Sequence, residues 1–353
     1  MQSNRKGRKM VAIKLNPKII TVARESRGLS QLELAEKLGL STSRMSRIEQ
    51  DFTEIGEEDL KSFSVALNYP EEFFYQEGEN LPPALALRKR NKVSQKILLP
   101  IEAQVNIYRL NIEKLLKAIG YSDINLPVLD IDKLGSPAEA ARKLRRLWKI
   151  EKGTINNLTE ILEENGLFLI NFDFNSDRVD GMSIIADSKF PIIFSNKRSL
   201  GDRQRFTLAY ELGHLVMHLY TNPSFTRDIS HEANEFAAEF LMPEKDIKAD
   251  FKDGVTLNIL ADLKRKWKLS MQALLYRAND IGVITDNQKR YLINQFNSMN
   301  IRRREPAELD IPRENPMKLR DMITNYKNKQ RLNVKQLALF FNTSEDEFLS
   351  KYS

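Results

Sequence analysis

Residues Leu29–Gln50, LSQLELAEKLGLSTSRMSRIEQ, leave few ways of folding open. Ser30 followed three residues later by Glu33 is a capping box, which starts a helix at Gln31. Leu34, Ala35 and Leu38 fall on one face of that helix. Gly39 ends it, because glycine takes a positive φ at little cost. Ser41 caps a second helix, in which Met45 and Ile48 are the buried pair. The outer side of this second helix carries Thr42, Ser43, Arg44, Ser46 and Arg47, all short or basic donors. Side chains of this kind reach base edges and phosphates in a major groove. A small bundle whose turn merely contains glycine explains the helices but leaves that face unexplained.

On these residues the segment closely resembles the Xre/lambda-repressor family of helix-turn-helix domains, over about Leu15 to Tyr75. Carried over by position, the resemblance implies that Gln31 touches the DNA backbone at the start of the first motif helix. It implies that Thr42, Ser43 and Arg47 face bases, and that Arg44 or Ser46 bonds phosphate or base. It also implies a homodimer on a two-fold, double-stranded operator, because one short helix reads only a few base pairs. Arg5, Lys6, Arg8 and Lys9, and the run Arg88 to Lys92, would add phosphate contacts; a solvated charge run accounts for them equally well.

The rest of the 353 residues needs further domains, since about 150 residues per domain gives two or three. A hydrophobic share of 41% with 29% charged residues is that of a soluble chain with real cores, and excludes a fibrous or wholly disordered one. No apolar stretch approaches the roughly 18 uncharged residues of a membrane span. Met1 to Met10 has charge with no apolar core behind it, so no secretory signal is read there. Cysteine is absent, which rules out disulfides and Cys-ligated zinc fingers and fits a cytoplasmic location. The net charge of +7 favours an anionic partner without naming it. Four blocks follow from the punctuation: a DNA-binding domain at 1–80, a linker and long helix at 81–135, a second domain at 136–316, and a small helical segment at 317–353. No repeat at a fixed period is visible, although both chain ends are small helical segments. The long helix is expected at Pro100 to Ile119, and strands at Leu167–Phe174, Met182–Ala186 and Pro191–Ser195, the last two joined by a turn at Asp187-Ser188-Lys189. The fold class is α+β, mostly helical.

Residues Phe206 to His218 read FTLAYELGHLVMH. Two metal-binding histidines at i and i+4 lie one turn apart on a helix, and a glutamate just after the first can activate a metal-bound water. Here Glu211 and His214 stand where that pattern wants them, but Tyr210 takes the place of the first histidine. Downstream, His231 to Pro243 forms another helix, on which Glu232 could deliver a third ligand. With Gly201 to Thr207 before the motif, Glu232-Ala233-Asn234 and the Leu241-Met242-Pro243 ending, the block resembles the ImmA/IrrE family of metallopeptidases, often fused behind an Xre domain. Lys264 to Ser270, Arg277 and Arg302 to Pro306 fit that family's later helices, so the resemblance runs from about Pro83 to Pro316. It implies a zincin-like domain with a small sheet and a motif helix. It further implies zinc held by His214 and Glu232 with Glu211 as general base, and a strand-lined groove in which Pro191 to Ser195 is the edge that pairs with a protein or peptide partner.

Tyr210 leaves three readings of this site. In the first the site binds no metal and the domain senses or scaffolds. In the second His214 and His218 form the i, i+4 pair, completed by Glu232 or His231, with Tyr210 itself a candidate ligand. The third is a histidine-to-tyrosine change particular to this chain. A phenol with a pKa near 10 must lose its proton to compete as a ligand, which weighs against activity. The function expected is therefore that of a sequence-specific transcriptional regulator, a repressor and autoregulator of a mobile element, stress or toxin–antitoxin locus. Two alternatives stand beside it: an active zinc metallopeptidase that cleaves a DNA-bound repressor, and an antitoxin that neutralises a toxin by direct binding.

Overall fold

The computed structural model describes residues 15–53, 55–76, 94–121, 126–185, 190–219 and 227–352. The basic residues Arg5 to Lys9, the Arg88 to Lys92 run and the Asp187–Lys189 turn lie outside them. The chain divides into two compact units, and the first is built from three separate stretches: residues 1–82, 95–114 and 323–353.

In the first unit, α1 (Pro17–Ser26) begins with proline at its first position behind Asn16, whose side chain accepts from the Lys18 amide at 3.1 Å. Next, α2 (Gln31–Leu38) carries the full capping box of Ser30 and Glu33 and closes on Gly39 at φ 66°, the left-handed turn its sequence calls for. Then α3 (Thr42–Glu49) is capped by Ser41, and α4 (Glu57–Leu67) has three acids in its first turn, where the helix dipole favours them. A 3₁₀ turn over Glu71–Tyr75 brings Phe73 and Phe74 inside. These close over Ile19, Ile20, Leu34, Met45, Ile48 and Phe63, joined by Ala103, Ile107 and Leu110 of α5 (Gln95–Ile119). Full burial of each such side chain is worth about 1.5–3 kcal/mol. The long helix starts five residues before Pro100, so the proline sits inside it and only deletes one backbone hydrogen bond in the opening turns.

The second unit opens with α6 (Ile131–Leu134) and α7 (Pro137–Leu147), whose Ser136 cap accepts from the Glu139 amide at 3.1 Å. After α8 (Leu158–Glu164) come β1 (Phe168–Phe172), β2 (Gly181–Ile185) and β3 (Pro191–Asn196). Among the described residues these form one sheet in the order β1-β3-β2, with β3 parallel to β1 and antiparallel to β2. The expected edge strand at Pro191–Ser195 is thus the central strand, and β2 is the edge that follows it. The uninterrupted apolar run of β3 has the composition of a strand covered on both faces, which is what a centre position demands.

Against the sheet lies α9 (Gly201–Met217), crossed by α10 (Ile229–Leu241). Gly213 permits that crossing: a Cβ there would stand 2.9 Å from Phe236 Cδ1. The unit continues through α11 (Glu244–Ile247), α12 (Leu257–Trp267), α13 (Met271–Asp280) and α14 (Asp286–Ser298). Its interior holds paired charges. Lys264 is fully buried between Asp202 at 2.5 Å and Glu305 at 2.7 Å, while Glu239 takes both Arg277 and Arg142. Helix α15 (Lys318–Gln330) leads back to the first unit, which is completed by α16 (Val334–Phe340) and α17 (Glu345–Tyr352).

The return is anchored by Glu347, which takes Arg27 at 3.0 Å and Lys351 at 2.6 Å. Arg27 in turn donates to the Leu67 and Asn68 carbonyls at the end of α4 and lies 4.0 Å from the Tyr69 ring. Burial raises the Glu347 carboxyl, but the Arg27 and Lys351 cations outweigh it and hold it at about 2. A depressed carboxylate stabilises the fold above its unfolded value and loses that contribution as pH falls through its folded value. Glu347→Gln is therefore expected to cost about 1–3 kcal/mol at neutral pH. The gap between the two proteins should close as pH falls from 4.5 toward about 2, followed by helix circular dichroism during denaturant unfolding. A gap that persists unchanged at pH 2 would show that charge at Glu347 is irrelevant.

Candidate functional site

Met45 and Ile48, both fully buried, fix how α3 is turned. Thr42, Ser43, Arg44 and Arg47 consequently stand exposed, and Ser46 half-buried. Arg44 Nη2 donates to Asp59 Oδ2 at 2.9 Å, an exposed pair that is worth little. Gln31, first residue of α2, donates to Glu49 Oε2 at 2.7 Å, and Glu49 also accepts from Arg24 Nε at 2.6 Å. Arg24, Gln31 and Glu49 thereby tie α1, α2 and α3 together and set the height of α3. Burial lowers the Arg24 guanidinium, yet the Glu49 carboxylate outweighs it and leaves it raised. Sequence reasoning missed Arg24 and Glu49. The available signal was an acid closing a helix otherwise free of acids.

In the second unit α9 carries Tyr210, Glu211 and His214, with His218 at its end, all at most 2% exposed. Glu211 Oε2 accepts from Ser183 Oγ of β2 at 2.8 Å. The Tyr210 ring stands edge-on to His214, centroids 4.7 Å apart. His214 Nδ1 and His218 Nδ1 are 2.9 Å apart, and His218 Nε2 is 2.9 Å from Glu232 Oε2. Glu232 Oε1 accepts from Arg227 Nε at 2.8 Å, and Arg227 reaches Asp132 at 3.1 Å. Burial pushes the His218 imidazole below its ordinary 6.5, against the pull of Glu232. A neutral His218 has one N–H, and beside a carboxylate that N–H sits on Nε2. Its Nδ1 then accepts from His214 Nδ1–H, and His214 keeps its lone pair on Nε2. His231 is exposed on α10, its amide bonded to Asp228, and is not brought to this chain of contacts.

A catalytic zinc needs three protein ligands and an open position. The residues present do not fit that requirement. Both ring nitrogens of His218 and both oxygens of Glu232 are engaged by neighbouring protein groups, and position 210 offers a buried phenol. No group of three His, Cys, Asp or Glu among the described residues has a metal-holding arrangement. What the arrangement supplies instead is a hydrogen-bonded row, His214–His218–Glu232–Arg227–Asp132, closing α9 against α10. Ser183, Arg227 and Asp132 were invisible to sequence reasoning because each comes from outside the motif.

The fold comprises a helix-turn-helix unit and a second unit with a small sheet and a long helix carrying Tyr210, Glu211 and His214. The family described as helix-turn-helix matches residues 22–74, and the family described as IrrE N-terminal-like domain matches residues 162–279. No curated protein matches the chain. The chain joins an Xre-like helix-turn-helix domain to an ImmA/IrrE-like peptidase domain in one polypeptide, the fusion that its motifs imply. It is a DNA-binding regulator with a peptidase-like domain. No helix among the described residues is long and apolar enough to cross a membrane.

Proposed function

We propose that this chain is a transcriptional repressor that reads a two-fold operator as a homodimer, autoregulates a mobile-element, stress or toxin–antitoxin locus, and uses its peptidase-like domain to bind a protein partner without cutting it. The observation that carries the reading is the row of contacts around His218. With Tyr210 at the first ligand position and Glu232 tied to Arg227, the domain keeps the shape of a peptidase while its would-be ligands are spent on each other. Backbone pairing to an edge strand needs no metal, and β2 is the strand beside Glu211. In this reading Thr42, Ser43 and Arg47 meet bases, Arg44 or Ser46 bonds phosphate or base, and Gln31 touches the DNA backbone.

The test begins with duplexes selected by the full chain from a random-sequence pool. Arg47→Ala is expected to weaken the recovered duplex by about 1–3 kcal/mol, roughly 5- to 150-fold, with little change on mixed-sequence DNA. Equal loss on every sequence would make Arg47 a phosphate contact, and no loss at all would remove α3 from the interface. Glu211→Gln should leave these affinities unchanged. A second reading, an active zinc peptidase, is favoured by one observation: Glu211 is buried in the general-base position and held by Ser183. Chelator-sensitive cleavage that disappears with Glu211→Gln would establish it in place of the first.

A further inference from the structure

No repeat shows in the sequence at a fixed period, yet residues 333–352 repeat the backbone of residues 30–49. In the first copy Ser30 accepts from the Glu33 amide at 3.2 Å and Glu33 accepts from the Ser30 amide at 2.7 Å. In the second, Asn333 accepts from the Gln336 amide at 2.8 Å and Gln336 accepts from the Asn333 amide at 2.9 Å. The left-handed turn residue is Gly39 at φ 66° in one and Asn342 at φ 50° in the other. The following amides, Leu40 and Thr343, donate to the Ala35 and Ala338 carbonyls, both at 2.9 Å. Ser41 caps the Arg44 amide at 3.2 Å, and Ser344 caps the Glu347 amide at 3.3 Å. Leu34, Ala35 and Met45 are buried in the first copy, and Leu337, Ala338 and Phe348 in the second. Helices α16 and α17 are therefore a second helix-turn-helix.

Its outer chemistry is inverted. Where α3 presents Thr42, Ser43 and Arg44, α17 presents Glu345, Asp346 and Glu347, and Leu349 and Ser350 stand in place of Ser46 and Arg47. The two outward carboxylates of that turn, Glu345 and Asp346, repel phosphate, which disfavours DNA reading by this copy. Glu347 is used inward on Arg27. Glu345, Asp346 and Ser350 stay exposed, beside the exposed apolar side chains Leu349 and Leu339. On a chain of net charge +7 such a face is matched by a basic, partly apolar surface. The α3 region has that character: exposed Arg44 and Arg47, flanked by exposed Leu32 on α2 and Phe52 just beyond the helix.

We propose that the acidic face of α17 docks on the α3 face of a second copy of this chain, covering the DNA-reading surface. The contact joins two different surfaces, so two copies close into a pair if both α17–α3 contacts form reciprocally, and a single contact per pair builds rings or chains of copies. DNA and α17 then compete for α3, and free protein above its association concentration is held off DNA until an operator displaces the neighbour. The inference rests on α3 being the DNA-reading helix.

Sedimentation of the full chain tests it. Salt of about 1 M shortens the screening length to about 3 Å, against about 10 Å at 0.1 M. Association at the lower salt should dissolve at the higher salt and on adding a mixed-sequence duplex. The variant E345K/D346K and the variant R44E/R47E should each associate at least about tenfold more weakly, and combining all four substitutions should restore association. All substituted side chains are exposed, and circular dichroism of each variant checks the fold. A size unaffected by salt and by both variants overturns the proposal, as does failure of the combined variant to associate once each pair alone has abolished it. Binding of the mixed-sequence duplex is measured in the same series. If R44E/R47E loses DNA binding while association persists, this inference alone falls. If that variant keeps DNA binding, the assignment of α3 falls with it.

Discussion

Replacing Tyr210 with histidine is expected to convert a chain that retains little zinc after dialysis into one that retains about one equivalent. A buried phenol must be ionised before it competes as a ligand, whereas a neutral imidazole brings its lone pair at no such cost. The new ring would lie one turn from His214, on the same helix face, with the His214 lone pair on Nε2. Glu232 would have to release His218 or Arg227 to become the third ligand, so the gain includes the cost of opening those contacts. Metal analysis of the wild-type protein, Tyr210→His and Tyr210→Phe, prepared identically, measures the effect. One equivalent in the wild-type protein would show that the phenol or a rearranged histidine pair does serve as ligand, and would bring back the peptidase reading. If Tyr210→His stays empty too, the row from His214 to Asp132, and not the missing imidazole, is what closes the site.

The largest loss of stability is expected from Lys264→Ala. The ammonium is fully buried and is the partner of two carboxylates that are themselves 5% and 7% exposed. Burial lowers the Lys264 ammonium, but the hydrogen bonds that it donates to the Asp202 and Glu305 carboxylates outweigh this and raise its pKa. Removing it strands two buried acids, which costs about 3–5 kcal/mol. Asp202 lies in the first turn of α9, so the damage reaches the start of the helix that carries Glu211. Both tryptophans of the chain, Trp148 and Trp267, belong to this unit, so their fluorescence during urea unfolding reads it selectively. The exposed pair Arg265–Asp262 is the internal comparison, and losing it should cost under about 1 kcal/mol. Equal effects at the two sites would mean that the buried triad is not the anchor its geometry indicates.

Local chemistry made much of this fold readable. The capping box at Ser30, the turn at Gly39 and the buried pair Met45 and Ile48 are written within a few residues of one another, and each is found as expected. Sheet order was not readable in this way, because which strand takes the centre depends on crossovers rather than on the strand itself. The apolar run of β3 did carry the hint of two-sided burial. The row that runs from His218 through Glu232 and Arg227 to Asp132 was hidden because its members come from separate segments, the last contact spanning 95 residues. Helix α17 escaped notice although Ser344 and Glu347 before Phe348 carry the sequence signature of a helix start.

The first unit is assembled from stretches that leave the ribosome far apart in time. At roughly 5–20 residues per second, residue 323 follows Lys114 by about 10–40 s. During that interval Arg27 and Tyr108 have not yet met Glu347 and Tyr352, and the peptidase-like unit is being made between them. A nascent or prematurely ended chain thus holds α1 to α4 without the segment whose Glu347 takes Arg27. Premature termination anywhere in the peptidase-like unit leaves this unit without α16 and α17, the very helices that bring the acidic face.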